Sequence, residues 1–329
     1  MTFVLSLVLL VHATTVGAER AMDLEDRIRI AEARRIAERY GDTLWPGYLE
    51  APFAVLLVTR EAEFLVHHSE PTEDFVHLGY DTLLESDVYC RDRVFEVNLL
   101  ASFPAVSGVP TIVIGQPHNT DASHSTRWVT TLLHEHFHQW QQSWPDYYAA
   151  VDSLGLAGKD STGMWMLNYP FPYDSLPVRG AFEEMCRRLW EALDGIDAAD
   201  FRTRVDAYLT AKAVFKDVLA EDDYAYFSFQ VWQEGLARYT EYKLARLAGD
   251  TYTPTELFTS LHDYVPFDDD AGRIRDHIAT ELLRVSLKKS KRSAFYHVGG
   301  AEGILLDRIN PGWRQYYLTR KFCTDTYFR

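Results

Sequence analysis

The segment His134-Glu135-His136-Phe137-His138 has the residue types and spacing for metal-assisted acid–base chemistry. It lies in a helix-compatible run from Val129 to Trp140. Residues four apart on a helix return to one face about 6 Å further along its axis. Two imidazoles so placed, His134 and His138, can converge on one ion at Zn–N distances of about 2.0–2.1 Å. Glu135 is placed to take a proton from a water polarised by that ion and to pass it to a leaving group. Leu132, Leu133 and Phe137 offer the apolar surface that would bury the helix. His136 falls on another face and is not expected to ligate. Taken alone, the pattern favours the metal reading but is also open to histidines that are only core residues.

A catalytic zinc needs a third protein ligand and an open fourth position. Between Phe229 and Glu241, Glu234 stands among Val231, Trp232, Leu236 and Ala237. A carboxylate in such apolar company is costly without a cation, which zinc would supply. Gly235 is expected to let this helix approach the metal helix closely. Arg238, four residues on, offers Glu234 a plain surface ion pair instead. A rival pair of acids, Glu183 and Glu184, lies in the apolar run Ala181 to Leu193. Either could bind zinc or hydrogen-bond a ligand histidine.

His134-Glu135-x-x-His138 followed by Trp232-x-Glu234-Gly235-x-Ala237-x-Tyr239-x-Glu241 resembles the gluzincin metallopeptidases, distantly the aminopeptidase N family. The resemblance implies a zincin-like fold, zinc as the cofactor, a peptide or protein substrate and Glu234 as the third zinc ligand. It implies Glu241 as a residue supporting the ligands. Tyr296-His297-Val298-Gly299-Gly300-Ala301 is similar to the family's Tyr-x-x-Gly-Ala helix start. That match implies Tyr296 as the donor to the oxyanion of a tetrahedral intermediate, with His297 and Tyr239 as weaker alternatives. The chain departs from the family in two ways. It places 96 positions between His138 and Glu234, far more than the family's short connection. It also lacks the family's Gly-x-Met-Glu-Asn strand, which argues against strict aminopeptidase activity. Thr111 to Ile114 occupies the corresponding place and is expected to receive an extended peptide as an edge strand.

The expected activity is therefore zinc-dependent hydrolysis of peptide bonds. A structural zinc site fits less well, because such sites are closed by four ligands and have no use for Glu135. The alternative is a secreted binding protein without catalysis, gripping a peptide or glycan with the aromatic loop 164–173.

These side chains require elements to hold them. Leu24 to Tyr40 has apolar residues at helical spacing, with Gly41 as a stop. Residues 53–58, 63–66, 88–89, 94–97 and 111–114 read as strands of a mainly antiparallel sheet. Ser125 or Thr126 can cap a helix running to Gln142. A loop-rich stretch follows from Pro145 to Pro177, then helices near 179–193, 198–220, 224–247, 271–288 and 296–309. The order predicts an α+β fold with one zincin-like catalytic domain over 19–329. Its sheet-bearing part would be 19–117 and its helical part 118–329, with the active-site cleft between them.

Charge and targeting narrow the partners. A net charge of −15 repels phosphate backbones, which excludes nucleic acid. The basic stretch Lys288 to Arg292 is expected to be a solvated helix end or loop. The apolar run Phe3 to Val11 followed by Val16-Gly17-Ala18 reads as a signal peptide over 1–18, although Met1-Thr2 carries no basic residue. Cleavage near Ala18 would yield a secreted or periplasmic protein with no membrane association. Cys90, Cys186 and Cys323 show no metal or redox spacing; Cys186 is expected to be a buried apolar residue, and pairing of Cys90 with Cys323 stays open.

Overall fold

The computed structural model describes residues 20–328, so the expected signal segment 1–18 lies outside the described residues. Among these, six strands occupy the N-terminal half: β1 (Val55–Val58), β2 (Ala62–Val66), β3 (Val76–Asp81), β4 (Ser86–Asp92), β5 (Leu100–Val106) and β6 (Val109–Gly115). They form one mixed sheet in the order β3-β4-β2-β1-β6-β5. Only β1 and β6 run parallel; the other neighbours are antiparallel. Central β1 is buried on both faces, which is why Val55-Leu56-Leu57-Val58 reads as an unbroken apolar run. Val55, Leu57, Ile112 and Ile114 face the helical core, while Leu56, Val58 and Val113 join a small second core with Leu65 and Phe75.

Three sequence expectations for the sheet are corrected. Residues 94–97 are not a strand, because the Val94 and Phe95 amides donate to the buried Glu63 carboxylate at 2.8 and 2.6 Å rather than to a neighbouring strand. Strands β3 and β5 were not anticipated: β3 is largely exposed, and β5 carries Pro104, tolerated where no ladder partner is needed. Finally, Thr111 to Ile114 lies inside the sheet between β1 and β5, so it is not an edge; β5 is.

The helices are α1 (Leu24–Leu44), α2 (Ser125–Ser143), α3 (Tyr147–Asp152), α4 (Trp165–Asn168), α5 (Leu176–Asp194), α6 (Phe201–Asp217), α7 (Glu221–Gln230), α8 (Leu236–Thr251), α9 (Glu256–Thr259), α10 (Phe267–Arg284), α11 (Leu287–Ser290) and α12 (Ser293–Ile309). Helix α1 runs through Gly41 instead of stopping there. A Cβ at Gly41 would lie 2.4 Å from the Tyr48 ring, so the glycine serves close packing, not termination. The helix expected over 224–247 is broken by a π-turn, Val231–Gly235, between α7 and α8. Gly235 does make a close approach, but to α12: a Cβ there would meet Gly299 Cα at 2.5 Å. The three cysteines are free thiols, with Cys186 buried as expected and Cys90 unpaired with Cys323.

The C-terminal segment is tied to the helices by a buried ionic cluster. Lys212 on α6 donates to Glu302 on α12 at 2.6 Å and lies 2.5 Å from Asp325. Thr324 also donates to Glu302, at 2.5 Å. Burial pushes the Asp325 carboxyl up, but the Lys212 ammonium outweighs it and holds the pKa at about 2. Removing one partner of such a cluster leaves the other charge buried alone. Lys212→Met should therefore cost about 3–5 kcal/mol in a urea unfolding midpoint at neutral pH. Because the Asp325 pKa is depressed, its share is present above the unfolded value of 3.8 and lost as pH falls toward 2.

Candidate metal centre

Helix α2 starts where its first amides and hydroxyls are held by a neighbouring loop. Ser125 N and Oγ donate to Asp263 at 3.0 and 2.5 Å, and Thr126 Oγ1 donates to Val265 O at 2.6 Å. Trp128 donates its indole N–H to Gly115 O at 2.8 Å, fastening the helix to the end of β6. Nearly all of α2 is buried, so its faces are assigned by their neighbours. The His136 side faces the sheet, with its ring 4.6 Å from those of Tyr48 and Phe53. Burial lowers the His136 pKa to about 4, so it is a neutral core residue, bonded to Gln139 at 2.8 Å. The opposite side presents His134 and His138 to the π-turn and α8.

There the three expected ligands meet. His134 Nε2 and His138 Nε2 are 3.2 Å apart, and Glu234 Oε2 lies 3.3 Å from His138 Nε2 and 3.9 Å from His134 Nε2. Donor atoms held about 2.0–2.1 Å from one ion in tetrahedral geometry stand about 3.3 Å apart. The observed triangle fits that spacing, and these residues could hold a metal ion. The histidine side chains are 8% and 7% exposed and Glu234 is 17% exposed, so the centre opens on the Glu234 side. Among the described residues, no other group of three or more such side chains is gathered this closely.

Second partners orient each ligand. His138 Nδ1 bonds Gln141 Oε1 at 2.7 Å, which leaves the Nε2 lone pair facing the centre. Gln141 Nε2 in turn donates to Gln233 O and to the Tyr317 hydroxyl at 3.2 and 2.5 Å. Tyr317 donates to Trp232 O at 3.0 Å and stacks on the Trp232 ring at 4.3 Å. On the other side, Glu241 Oε2 faces His134 Nδ1 at 3.4 Å, without hydrogen-bond alignment. Arg238 pairs with Glu241 at 2.5 Å, not with Glu234 as a surface pair would require. Burial alone would raise the Glu234 carboxyl, but His138 and His134 hold it well below the usual range. Burial likewise opposes charge on His134, yet Glu234 and Glu241 raise its pKa to about 9.

Glu135 reaches the sheet edge beside the ligand face, near enough for its charge to favour that of His134. Ser102 on β5 donates to both its carbonyl oxygen and its Oε2, at 2.7 and 3.0 Å. Tyr296, on the first turn of α12, stands beside the Glu234 carboxylate; burial and that charge push its phenol well above the ordinary value. Arg292 donates to the Tyr296 hydroxyl and lies 3.7 Å from Glu234 Oε1. Thus Arg292 turns inward, against the expectation that the whole basic stretch is solvated. The other candidates fall away. Glu183 and Glu184 are exposed on α5, with Glu184 paired to Arg187 and Arg188. Tyr239 is committed to Asp307 and Arg314. His297 turns to His277, with ring centroids 5.0 Å apart. The sequence does not point to Gln141, Tyr317, Ser102 or Arg292 as members of the site. Only Gln141, one helical turn after His138, carried a local signal.

Comparisons with protein-family models, curated proteins and solved structures returned no match.

Two measurements test the centre. Elemental mass spectrometry should find about one divalent metal per wild-type chain. Glu234→Ala should lower metal affinity by more than about 100-fold, and Glu241→Gln by about 10–100-fold, the range for losing a partner that only orients a ligand. Metal binding must also displace the proton that His134 holds below about pH 9. Apparent affinity should therefore rise about tenfold per pH unit between pH 6 and 8, read by competition with a chromophoric chelator.

Proposed function

We propose that the protein is a secreted or periplasmic zinc-dependent hydrolase that cleaves peptide bonds. The observation that carries this reading is the convergence of His134, His138 and Glu234, with Glu135 next to the first ligand and one side open. Two imidazoles and a carboxylate are a donor set suited to zinc, and three protein ligands with a free position mark a catalytic site. When bound, zinc supplies Lewis-acid polarisation of a carbonyl and of water.

The residues divide the remaining work. Glu135 accepts the proton of the attacking water and delivers it to the leaving amine. Ser102 Oγ holds that carboxylate and ties it to β5, so the base and the sheet edge keep a fixed separation. The exposed edge of β5 receives an extended peptide by strand addition, in the cleft between sheet and helices. Tyr296 donates to the developing oxyanion, and its raised pKa keeps the phenol protonated for that purpose. Arg292 holds the Tyr296 hydroxyl in place and balances the Glu234 charge. In the rival reading, an aromatic grip on a glycan or peptide by loop 164–173, Trp165 and Phe171 are buried against α7 and α12, and the grip falls to Tyr169 and Tyr173, which line a cavity with Arg292.

The test is hydrolysis of a fluorogenic peptide library by zinc-loaded protein. Glu135→Gln should keep about one zinc per chain while kcat falls about 10²–10⁴-fold. Undiminished turnover in that variant would remove Glu135 as the base, and no cleavage by zinc-loaded wild type would count against a peptidase.

A further inference from the structure

The chain has a net charge of −15, yet three arginines lie within reach of one another's charge, and Thr130 ties two of their helices together by donating to Arg127 O and to Asp270. Arg127 stands in the first turn of α2, two turns before His134. Arg238 belongs to α8 and Arg273 to α10. Helix α12 comes close to the cluster at Gly300, where a Cβ would meet Arg238 Cγ at 3.2 Å. It places His297 edge-on to His277 of α10.

The carboxylates in this group are already engaged. Glu241 pairs with Arg238 at 2.5 Å and faces His134. Asp270 pairs with Arg273 at 2.8 Å and accepts from Thr130 at 2.9 Å. Arg127 is half-buried, and among the described residues no carboxylate forms an ion pair with it. Burial and then the neighbouring Arg273 disfavour its charge, and the pull of Glu241 and Asp270, already paired with Arg238 and Arg273, does not outweigh them. Two further polar atoms, Arg238 Nε and His297 Nδ1, are buried without a hydrogen-bond partner. Burial, Arg238 and His277 lower the His297 pKa to about 3, so it is a neutral hydrogen-bonding group here rather than another cation.

Like charges brought together out of water repel, and unpaired buried donors are costly, unless an anion answers them. Guanidinium groups match oxyanions in shape and charge, carboxylate and phosphate above all. The cluster is open to solvent, since the Arg273 side chain is 40% and that of Arg238 25% exposed. We propose that Arg127, Arg238 and Arg273, with His297, form an oxyanion-binding site that takes a carboxylate or phosphate group. It lies on the Nδ1 side of His134, joined to the metal centre through Glu241. The site follows from its own residues and does not require that the protein be a hydrolase.

The test measures thermal stabilisation of metal-loaded protein by inorganic phosphate, with chloride holding ionic strength constant. Wild type should gain Tm with phosphate, and the exposed-residue control Arg275→Gln should respond like it. Arg127→Gln should bind phosphate at least about tenfold more weakly, having lost a charge-assisted hydrogen bond. In phosphate-free buffer it should melt no lower than wild type, because a neutral amide removes repulsion; an arginine with a purely structural role would melt lower. Arg273→Gln serves as a second variant should Arg127→Gln fail to fold. Equal phosphate responses in wild type and both arginine variants would overturn the site. So would a response lost in Glu234→Gln and kept in Arg127→Gln, which would place the anion on the metal. Competition then identifies the natural source: displacement of phosphate by an acidic peptide, but not by its neutral amidated form, assigns the site to a peptide carboxylate. Phosphate binding that such peptides leave untouched assigns it to a free anion.

Discussion

The Glu234 carboxylate stands at the mouth of a largely buried centre, 3.3 and 3.9 Å from the Nε2 atoms of His138 and His134. Much of the surrounding architecture serves that encounter. A carboxylate and two imidazole nitrogens placed so closely out of water are unfavourable unless a proton or a cation lies among them. The raised pKa of His134 and the depressed pKa of Glu234 describe the same fact from two sides: without metal, a proton does part of the work a cation would do. The neighbouring helices must hold the three groups in place against that cost.

Two contacts do most of this holding. On one side, Tyr317 stacks on Trp232, accepts from Gln141 and donates to Trp232 O, so it joins the histidine helix to the π-turn that carries Glu234. On the other, the backbone at Gly235 meets that at Gly299 too closely for any side chain. That approach brings the start of α12, with Tyr296 and Arg292, against the outer oxygen of Glu234. The π-turn itself matters because a wider turn shifts the phase of the helix that follows. Glu234 then addresses the Nε2 side of the histidines while Glu241 addresses Nδ1 of His134.

Helix α2 has the opposite problem, since it is buried nearly all round and must present polar groups in both directions. Toward the sheet, His136 is a neutral ring packed on aromatic neighbours, and Gln139 donates to Ala54 O and Pro110 O at 3.0 and 2.7 Å. Toward α8 lie the ligands, and at the sheet edge Glu135 is held by Ser102. Three polar side chains in a row, His134, Glu135 and His136, thus enter three different environments.

The sequence by itself determined what local chemistry can encode. The four-residue spacing of His134 and His138, the place of Glu135 beside them and the exclusion of His136 all follow from helical periodicity. Glu234 was legible because an acid among apolar residues needs a partner wherever it lies. The α+β order, and most helices to within a few residues, follow from apolar periodicity. Tertiary structure decided what depends on contacts distant in sequence. Glu63, on the strand beside β4, takes the amides of Val94 and Phe95 and so removes a strand that β-propensity favours. The order of strands makes β5, not β6, the edge. Tyr317, 85 residues beyond Trp232, completes the support of the histidines with no local sign that it would. Arg292 reads as part of a solvated basic stretch until the close approach of two glycines turns it toward Glu234.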